Sequence, residues 1–259
     1  MSELYVNRVK EELKNKGKVS AAWLQLCSNI SAEIMANAGF DVLVIDAEHS
    51  PVDYKTILSM CQAMKGTDAV PFVRTPWNDL ISLKRVFDCG VGGVHIPYVN
   101  TKEEALNAVK YSKYPTQGLR GIAGSPRAAG YGMNRGSYLQ RANEENLIIV
   151  AIETPEAVKN LNEILTVEGI DGIFIGPMDL STSLGYFGNP WAEEVQEVIR
   201  GVEKKVVNSD KFLGTISGNF EQAKDLYERG YNIVYMMSDA TDLSKMSADM
   251  VMKFKNTYK

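Results

Sequence analysis

Cysteine and histidine are scarce in this 259-residue sequence, and basic residues are slightly fewer than acidic ones. The three cysteines, Cys27, Cys61 and Cys89, lie far apart and have no C-x-x-C spacing. They argue against a disulfide framework or a zinc site, and they predict reduced thiols in a cytoplasmic protein. The formal net charge of −4 argues against nucleic acid or an anionic membrane as the main partner.

Long apolar runs are absent as well, since none approaches the roughly 20 residues that a membrane-spanning helix needs. The first 18 residues are charged and mildly amphipathic, which is not the pattern of a secretory signal. Hydrophobic residues nevertheless make up 45% of the chain, enough to bury a large core. No linker, charge block or low-complexity tract divides the sequence, so we expect one domain over residues 1–259.

Eight apolar strand-like segments alternate with eight segments of helical period. The predicted strands are 19–27, 41–46, 69–74, 93–98, 147–153, 171–176, 212–217 and 232–237, and the predicted helices are 31–38, 53–65, 79–89, 102–113, 155–166, 192–208, 220–229 and 241–256. Asn78 is expected to cap the helix 79–89, and Pro155 to open the helix 155–166. This count and length predict an α/β protein with a (β/α)8 TIM barrel fold. A doubly wound open sheet stays the alternative, because the count alone does not prove closure.

One long excursion, residues 114–146, separates the fourth and fifth strands. It holds six glycines, a predicted short helix near 137–144, and the arginines Arg120, Arg127, Arg135 and Arg141. Loops of this length in compact domains tend to be lids, binding loops or subunit contacts. For the arginines, solvation or a contact between subunits is at least as well supported as anion binding.

Polar side chains follow the second predicted strand at the point where it ends. Asp46, Glu48 and His49 come directly after the apolar run 42–45. In parallel α/β proteins this carboxyl edge of the sheet carries the chemistry, so we expect His49 to titrate or to contact substrate. The alternative is a surface histidine beside a proline turn. His95, the other histidine, lies within an apolar strand and is expected to be a satisfied core or barrel-interior residue.

Two carboxylates end neighbouring strands. Glu153 follows the fifth strand and Asp179 follows the sixth, so in a barrel both converge on one point. Like charges held together repel unless a proton or a cation intervenes, and carboxylates are preferred ligands of Mg²⁺ and Mn²⁺. For either acid alone, the role of a helix cap would be the better interpretation. Because both stand directly behind buried strands, we favour a metal site.

A permanent cation ends the third strand. Arg74 would emerge beside the two carboxylates, where a fixed charge suits a substrate carboxylate or a developing enolate oxygen. An ion pair with Asp46 or Glu48 is the alternative, and it is compatible with that role. No lysine stands at a strand's carboxyl end, since Lys18 and Lys211 lie on the entry side. Imine catalysis is therefore disfavoured relative to metal-stabilised enolate chemistry.

Five stretches carry a resemblance that spans nearly the whole chain. They are Ala-Gly-Phe-Asp-x-Leu-x-Ile-Asp-x-Glu-His (38–49), Val-Arg-x-Pro-Trp-Asn-Asp (73–79), Tyr-Pro-x-x-Gly-Leu-Arg-Gly (114–121), Ile-Glu-Thr (152–154) and Val-Glu-Gly-Ile-Asp-Gly-Ile-Phe-Ile-Gly-Pro-Met-Asp-Leu-Ser (167–181). The chain resembles the HpcH/HpaI aldolase family of metal-dependent class II pyruvate aldolases, with a phosphoenolpyruvate/pyruvate-type barrel.

The resemblance implies a role for each matched residue. Glu153 and Asp179 would bind a divalent cation, Mg²⁺ or Mn²⁺ with Co²⁺ as a further candidate, and pyruvate would chelate it. Arg74 would stabilise the enolate, His49 would assist proton transfer, and Asp46 would orient the aldehyde end. The predicted substrate contacts are Arg74, Trp23, Gly176, Pro177 and Met178.

The resemblance also implies a homo-oligomer, with a hexamer as the expected form, and it pairs His49 with Asp88. Since Asp88 is predicted to end a helix at the opposite face of the barrel, we expect it to act across a subunit contact. Two departures bear on the substrate: Ala151 replaces the family's usual glutamine, and Met178 its usual alanine.

The implied activity is retro-aldol cleavage of a 4-hydroxy-2-oxo acid to pyruvate and an aldehyde. A 2-keto-3-deoxy sugar acid and 2,4-dihydroxyhept-2-enedioate are examples of such substrates. The alternatives are an acyl-CoA lyase of the citrate-lyase type on the same barrel and a non-catalytic metabolite-binding barrel.

Overall fold

The computed structural model describes residues 5–259 and consists of eight strands, eleven α-helices and one 3-10 segment in that range. The strands are β1 (Val19–Leu24), β2 (Val42–Asp46), β3 (Val70–Arg74), β4 (Gly93–Ile96), β5 (Leu147–Ile152), β6 (Gly172–Ile175), β7 (Phe212–Ile216) and β8 (Ile233–Ser238). The helices that follow them in the barrel alternation are α2 (Asn29–Asn37), α3 (Tyr54–Ala63), α4 (Leu80–Asp88), α5 (Lys102–Ser112), α7 (Pro155–Leu165), α9 (Glu193–Val207), α10 (Phe220–Glu228) and α11 (Asp239–Tyr258).

The eight strands form a closed parallel barrel in sequence order, with β8 hydrogen-bonded to β1. The TIM barrel is therefore confirmed, and the open sheet is wrong. All eight predicted strands and all eight predicted helices are present. Among the strands, the observed ends differ most from the predicted ones at β1 and β4, which stop at residues 24 and 96. Pro97 has no backbone N–H to continue the β4 ladder, and Tyr98 takes a positive φ of 51°.

The predicted cap of α4 is wrong by one residue. Asp79, not Asn78, is the N-cap, because its carboxylate accepts hydrogen bonds from the backbone of Ile81 (2.9 Å) and Ser82 (3.0 Å). The Asn78 amide instead donates to the carbonyl of Glu104 at 2.9 Å. Both residue types are good caps, so their order along the chain does not distinguish them.

Three further helical segments were not predicted: α1 (Arg8–Lys14), α8 (Pro177–Ser183) and the 3-10 segment Arg127–Gly132. Helix α1 covers the amino-terminal mouth of the barrel, where Val9 and Leu13 are buried against side chains of the barrel interior. Its mild amphipathicity was visible in the sequence. The predictions for the N-terminal 18 residues also cover residues 1–4, which lie outside the described range.

The excursion between β4 and β5 is a packed lobe that includes α6 (Arg135–Glu145). Arg120 is fully buried, with its guanidinium against the rings of Phe87, Tyr114 and Tyr138. Arg127 donates to three backbone carbonyls, and Arg141 bonds the Tyr5 carbonyl and Glu145. Plain solvation is therefore wrong for Arg120, and all three arginines hold the lobe to its own barrel. A contact of these arginines with another subunit stays a prediction.

Helix α11 differs from the other barrel helices, because Asp239 is its only buried residue. Its exposed apolar side chains are Leu243, Met246, Met250, Val251, Met252, Phe254 and Tyr258. No helix in the range 5–259 combines the length and the apolar character required to cross a membrane.

Candidate active site

A cavity of about 530 Å³ opens at the carboxyl ends of the strands. We call it the reaction cavity. It is lined by Trp23, Gln25, His49, Arg74, Glu153, Phe174, residues 176–179, 216–218 and 235–238, Thr241, Asp242 and Lys245. The structure thus brings together eight of the ten predicted site residues; Asp46 and Asp88 do not line the cavity.

Asp46 lies behind the reaction cavity and holds Arg74 in place. The carboxylate of Asp46 is fully buried and accepts two hydrogen bonds from the guanidinium, from Nε at 2.9 Å and Nη2 at 2.7 Å. Glu48 lies 3.3 Å from Nη1 on the other side. Burial raises the pKa of Asp46, but the bonds and charge of Arg74 outweigh it and leave that pKa below its ordinary value.

Aromatic side chains of the barrel interior also restrict Arg74. Its guanidinium lies 4.5 Å from the centre of the Trp23 ring, a cation–π contact. Trp23 in turn stacks on Tyr235 at 4.8 Å and on His95 at 5.7 Å within the barrel interior. Arg74 is therefore held on three sides, by two carboxylates and an aromatic ring.

Glu153 is 4% exposed, and its Oε1 accepts a hydrogen bond of 2.7 Å from the backbone N–H of Tyr98. Burial, together with the charges of Asp179 and Glu48, raises the pKa of Glu153 to about 7, although the Tyr98 N–H and Arg74 act in the opposite direction. The positive charge of Arg74 therefore offsets the effect of burial on Glu153 only in part.

Asp179 stands in the first turn of α8, and its Oδ1 lies 3.4 Å from the Tyr98 hydroxyl. Neither Glu153 nor Asp179 caps a helix. Thr154 caps α7, and Gly176 is the N-cap of α8 with no side-chain bond. The capping alternative is therefore wrong for both acids.

The donor chemistry of this pair fits a hard divalent cation. Two carboxylates face one cavity, while the nearby Arg74 is already bonded to Asp46 and Glu48. Gly176 makes room for Glu153, since a Cβ at position 176 would stand 2.6 Å from Glu153 Oε2. Within residues 5–259 no group of three or more Asp, Glu, His or Cys side chains is placed to hold a metal. An ion bound here would take two protein ligands and keep its other positions for water and substrate.

The two histidines lie in contrasting environments. The His49 side chain is 56% exposed at the rim of the reaction cavity, with Nε2 3.6 Å from Glu48 Oε2. His95 is buried in the barrel interior as expected, but neither ring nitrogen has a hydrogen-bond partner, so the expectation that its polar atoms are satisfied is wrong. Burial and the charge of Arg74 lower the pKa of His95 well below its ordinary value, which keeps it neutral.

Asp88 ends α4, away from the reaction cavity, and its Oδ1 accepts a 2.8 Å bond from Arg120 Nη2. Its position at the end of this helix is as predicted, but the pairing with Arg120 was not. The residue that sequence reasoning missed in the site itself is Tyr98, which contacts both candidate metal ligands. The predicted fourth strand, 93–98, includes Tyr98 as its last residue. The preceding proline signalled that the strand ends earlier, at the edge where site residues lie.

The chain is similar to known proteins in both sequence and fold. A family model described as HpcH/HpaI aldolase/citrate lyase matches residues 20–245. A 4-hydroxy-2-oxo-heptane-1,7-dioate aldolase from Escherichia coli (strain ATCC 8739) is 41% identical over 249 residues, which cover 96% of this chain and 95% of that protein. One of the same name from Klebsiella pneumoniae is 39% identical, covering 96% and 94%. The solved structure of an HpcH/HpaI aldolase/citrate lyase family protein from Burkholderia cenocepacia superimposes with a TM-score of 0.92 at 31% identity, covering 96% of this chain and 100% of that one.

Proposed function

This chain belongs to the HpcH/HpaI aldolase/citrate lyase family, and on that basis we propose that it is a metal-dependent carbon–carbon lyase that cleaves a 4-hydroxy-2-oxo acid to pyruvate and an aldehyde. The observation that carries the proposal is the convergence of Glu153, Asp179, Arg74 and His49 on one cavity at the carboxyl end of the barrel. The relatives named as aldolases support this reaction type.

Glu153 and Asp179 would hold the cation, for which Mg²⁺ and Mn²⁺ are the first candidates and Co²⁺ a further one. Such an ion supplies Lewis acidity at the carboxylate and keto oxygens of the substrate. The backbone around Gly176, Pro177 and Met178 forms the adjacent wall and would contact the substrate carboxylate.

Arg74 would stabilise negative charge on the 2-oxo oxygen as the C3–C4 bond breaks. Its guanidinium is already oriented by Asp46, Glu48 and Trp23, so little reorganisation is needed when charge develops. Asp46 is covered by Arg74 and bonded to it through both oxygens. We therefore assign Asp46 as a positioning residue for Arg74 rather than as a contact for the aldehyde.

His49 would accept the proton of the C4 hydroxyl, directly or through water. Loss of that proton lets the C4 oxygen become the aldehyde carbonyl, while the electrons of the C3–C4 bond pass to the pyruvate enolate. Protonation of the enolate at C3 then yields pyruvate. Glu48 Oε2 lies 3.6 Å from His49 Nε2 and would help to orient the imidazole ring.

The test is pyruvate release from a panel of 4-hydroxy-2-oxo acids with Mn²⁺ or Mg²⁺, before and after EDTA. We expect activity that EDTA removes and added metal restores. Glu153→Gln should abolish turnover, and Glu156→Gln, an exposed glutamate three residues on, serves as the matched control. Activity that survives chelation, or no activity across the panel, would refute the proposal, and the second result would favour a non-catalytic metabolite-binding barrel.

An acyl-CoA thioester finds little support as the substrate, because a CoA group needs several cations. Only two, Arg74 and Lys245, line the reaction cavity, and Arg74 is already paired. A lysine-rich cavity does exist, but it lies at the opposite mouth of the barrel, where Lys10, Lys14 and Lys18 line it.

We also propose that the working form is a homo-oligomer in which a second copy covers α11. This helix exposes an apolar stripe to solvent, and the neighbouring helices α2 and α10 expose Ile30, Ile34 and Phe220. Asp88 ends α4 and is not part of this face, and it would act across a subunit contact of its own, with Arg120 holding its carboxylate. Mixing inactive His49→Ala chains with inactive Asp88→Ala chains should restore activity, and a mixture that stays inactive would contradict the shared site.

The three cysteines are free in the structure, which supports a reducing compartment, and we infer a cytoplasmic enzyme.

A further inference from the structure

A second cavity of about 560 Å³ lies beside the reaction cavity, between α9 and α10. We call it the lateral groove. Five residues line both spaces: Pro177, Met178 and residues 216–218. The two cavities are therefore adjacent, with these residues between them, and the groove is a space into which a molecule held at Glu153 and Asp179 would extend past Met178. A volume of this size suits a small-molecule chain.

The walls of the lateral groove are largely apolar. Trp191, Ile199 and Leu226 line it together with Met178, and the Trp191 side chain is 69% exposed at the edge. At the junction with the reaction cavity the Ser217 hydroxyl is buried without a hydrogen-bond partner. These surfaces favour an uncharged hydrocarbon chain, with one polar atom available where that chain enters.

The charge of the lateral groove excludes a second carboxylate. Glu203, Glu221 and Asp225 line it against one cation, Arg229. Arg229 is already bonded to Glu203 and lies 3.1 Å from Asp225. The Tyr231 hydroxyl also donates to Glu203 at 2.6 Å. Three carboxylates and one guanidinium leave a formal charge of −2, so an anionic chain end would be repelled and would find no free partner.

We propose that the lateral groove binds the aldehyde half of the substrate, and that the preferred 4-hydroxy-2-oxo acids carry an uncharged alkyl or aryl chain at C4. This rests on the proposed retro-aldol function. The pyruvate half stays at the carboxylate pair, and the chain beyond C4 passes Met178 and packs on Trp191. A dicarboxylic substrate would have to place its far end elsewhere, and Lys245, which lines the reaction cavity but not the groove, is the cation available for it.

The test compares kcat/KM for three substrates: 4-hydroxy-2-oxopentanoate, which has no chain beyond a methyl group, 4-hydroxy-2-oxononanoate, which has a pentyl chain, and 4-hydroxy-2-oxo-heptane-1,7-dioate. We expect the pentyl substrate to exceed both others by about tenfold or more, since each buried methylene contributes to discrimination. Trp191→Ala should remove most of that advantage, because it should raise KM for the pentyl substrate far more than for the methyl substrate. Trp191→Phe should restore it, and Trp191→Lys should improve the dioate.

The matched control is Phe187→Ala, an exposed aromatic residue on the same loop that lines neither cavity. It should leave all three substrates unchanged. The inference is overturned if the dioate is preferred and loses that preference in Lys245→Met, or if Trp191→Ala changes the oligomeric state and not the selectivity. No cleavage of any of the three substrates would instead refute the proposed function, so the two failures are distinguishable.

Discussion

Replacing Asp46 by asparagine tests whether a residue that never reaches the substrate controls the chemistry. Asparagine keeps the shape of the side chain and one acceptor oxygen. It removes the charge and turns an amide donor toward a guanidinium that can only donate. Arg74, whose side chain is only 13% exposed, would lose one of its two bonds to this residue, formed now at 2.7 and 2.9 Å.

Removing one partner of a buried ion pair costs about 3–5 kcal/mol, because the other charge is left desolvated. Asp46→Asn keeps one acceptor oxygen, and Glu48 stays beside Arg74. We therefore expect the loss in unfolding free energy to lie at the lower end of this range, about 3 kcal/mol. A guanidinium displaced by about 1 Å can lower kcat by about 100-fold. We therefore expect a loss of both stability and turnover, with the metal site intact.

Urea unfolding at fixed protein concentration measures the first effect, and pyruvate release the second. Asp53→Asn is the matched control, since Asp53 caps α3 and asparagine caps equally well. The pKa of Asp46 is lowered in the folded state, so its stabilisation is complete above the unfolded-state pKa of about 3.9 and is lost as the pH falls below it. The gap in stability between wild type and Asp46→Asn should be constant from neutral pH to about pH 5 and narrow below about pH 4. The positioning role would be refuted if the unfolding free energy of Asp46→Asn lay within about 1 kcal/mol of wild type and its kcat within about threefold.

Two further predictions concern the carboxylate pair. Tyr98→Phe should lower kcat by less than about threefold. The variant keeps the backbone N–H that bonds Glu153 at 2.7 Å and loses only the long 3.4 Å contact between the hydroxyl and Asp179. A fall of about tenfold in a steady-state assay would contradict this prediction. Gly176→Ala should leave the midpoint of urea unfolding nearly unchanged, but it should weaken Mn²⁺ binding, measured by titration, about 10- to 100-fold. The added Cβ would stand 2.6 Å from Glu153 Oε2 and must displace that carboxylate. Gly136→Ala, which meets nothing within 4 Å, is its control, and equal metal affinity in the two variants would count against the assignment of Glu153.

The barrel could be predicted because its signals are local. Each strand is a short buried run and each helix repeats its apolar residues along one face, so eight alternations suffice to suggest the fold. The elements that were missed lack such a signal. Helix α8 has only seven residues and a largely polar sequence, and α1 packs under the barrel rather than in the alternation. The predicted N-cap of α4 was wrong for a related reason, since the adjacent residues Asn78 and Asp79 are equally suited to the role.

The residues of the candidate site could be read from the sequence as polar side chains that end strands, but their partners could not. Arg74 and Asp46 are 28 residues apart, Glu153 and Tyr98 are 55 apart, and Arg120 and Asp88 are 32 apart. The hydrogen bonds between them exist only once the sheet has closed and the loops at its edge have taken their turns. Asp46 illustrates the difference, because the same residue that ends a strand at the mouth proves to be buried behind Arg74.

The sequence by itself determined the fold, the family and the set of charged residues at the mouth, because hydrophobic period and motif are properties of neighbouring residues in the chain. Only the tertiary structure decided which of those residues face the reaction cavity and which support them from behind. It also placed the lateral groove beside the reaction cavity, since that groove is made by helices α9 and α10 and the turn after β6, which contribute residues from distant parts of the chain. Shape and burial depend on packing across the whole barrel, and no local pattern encodes them.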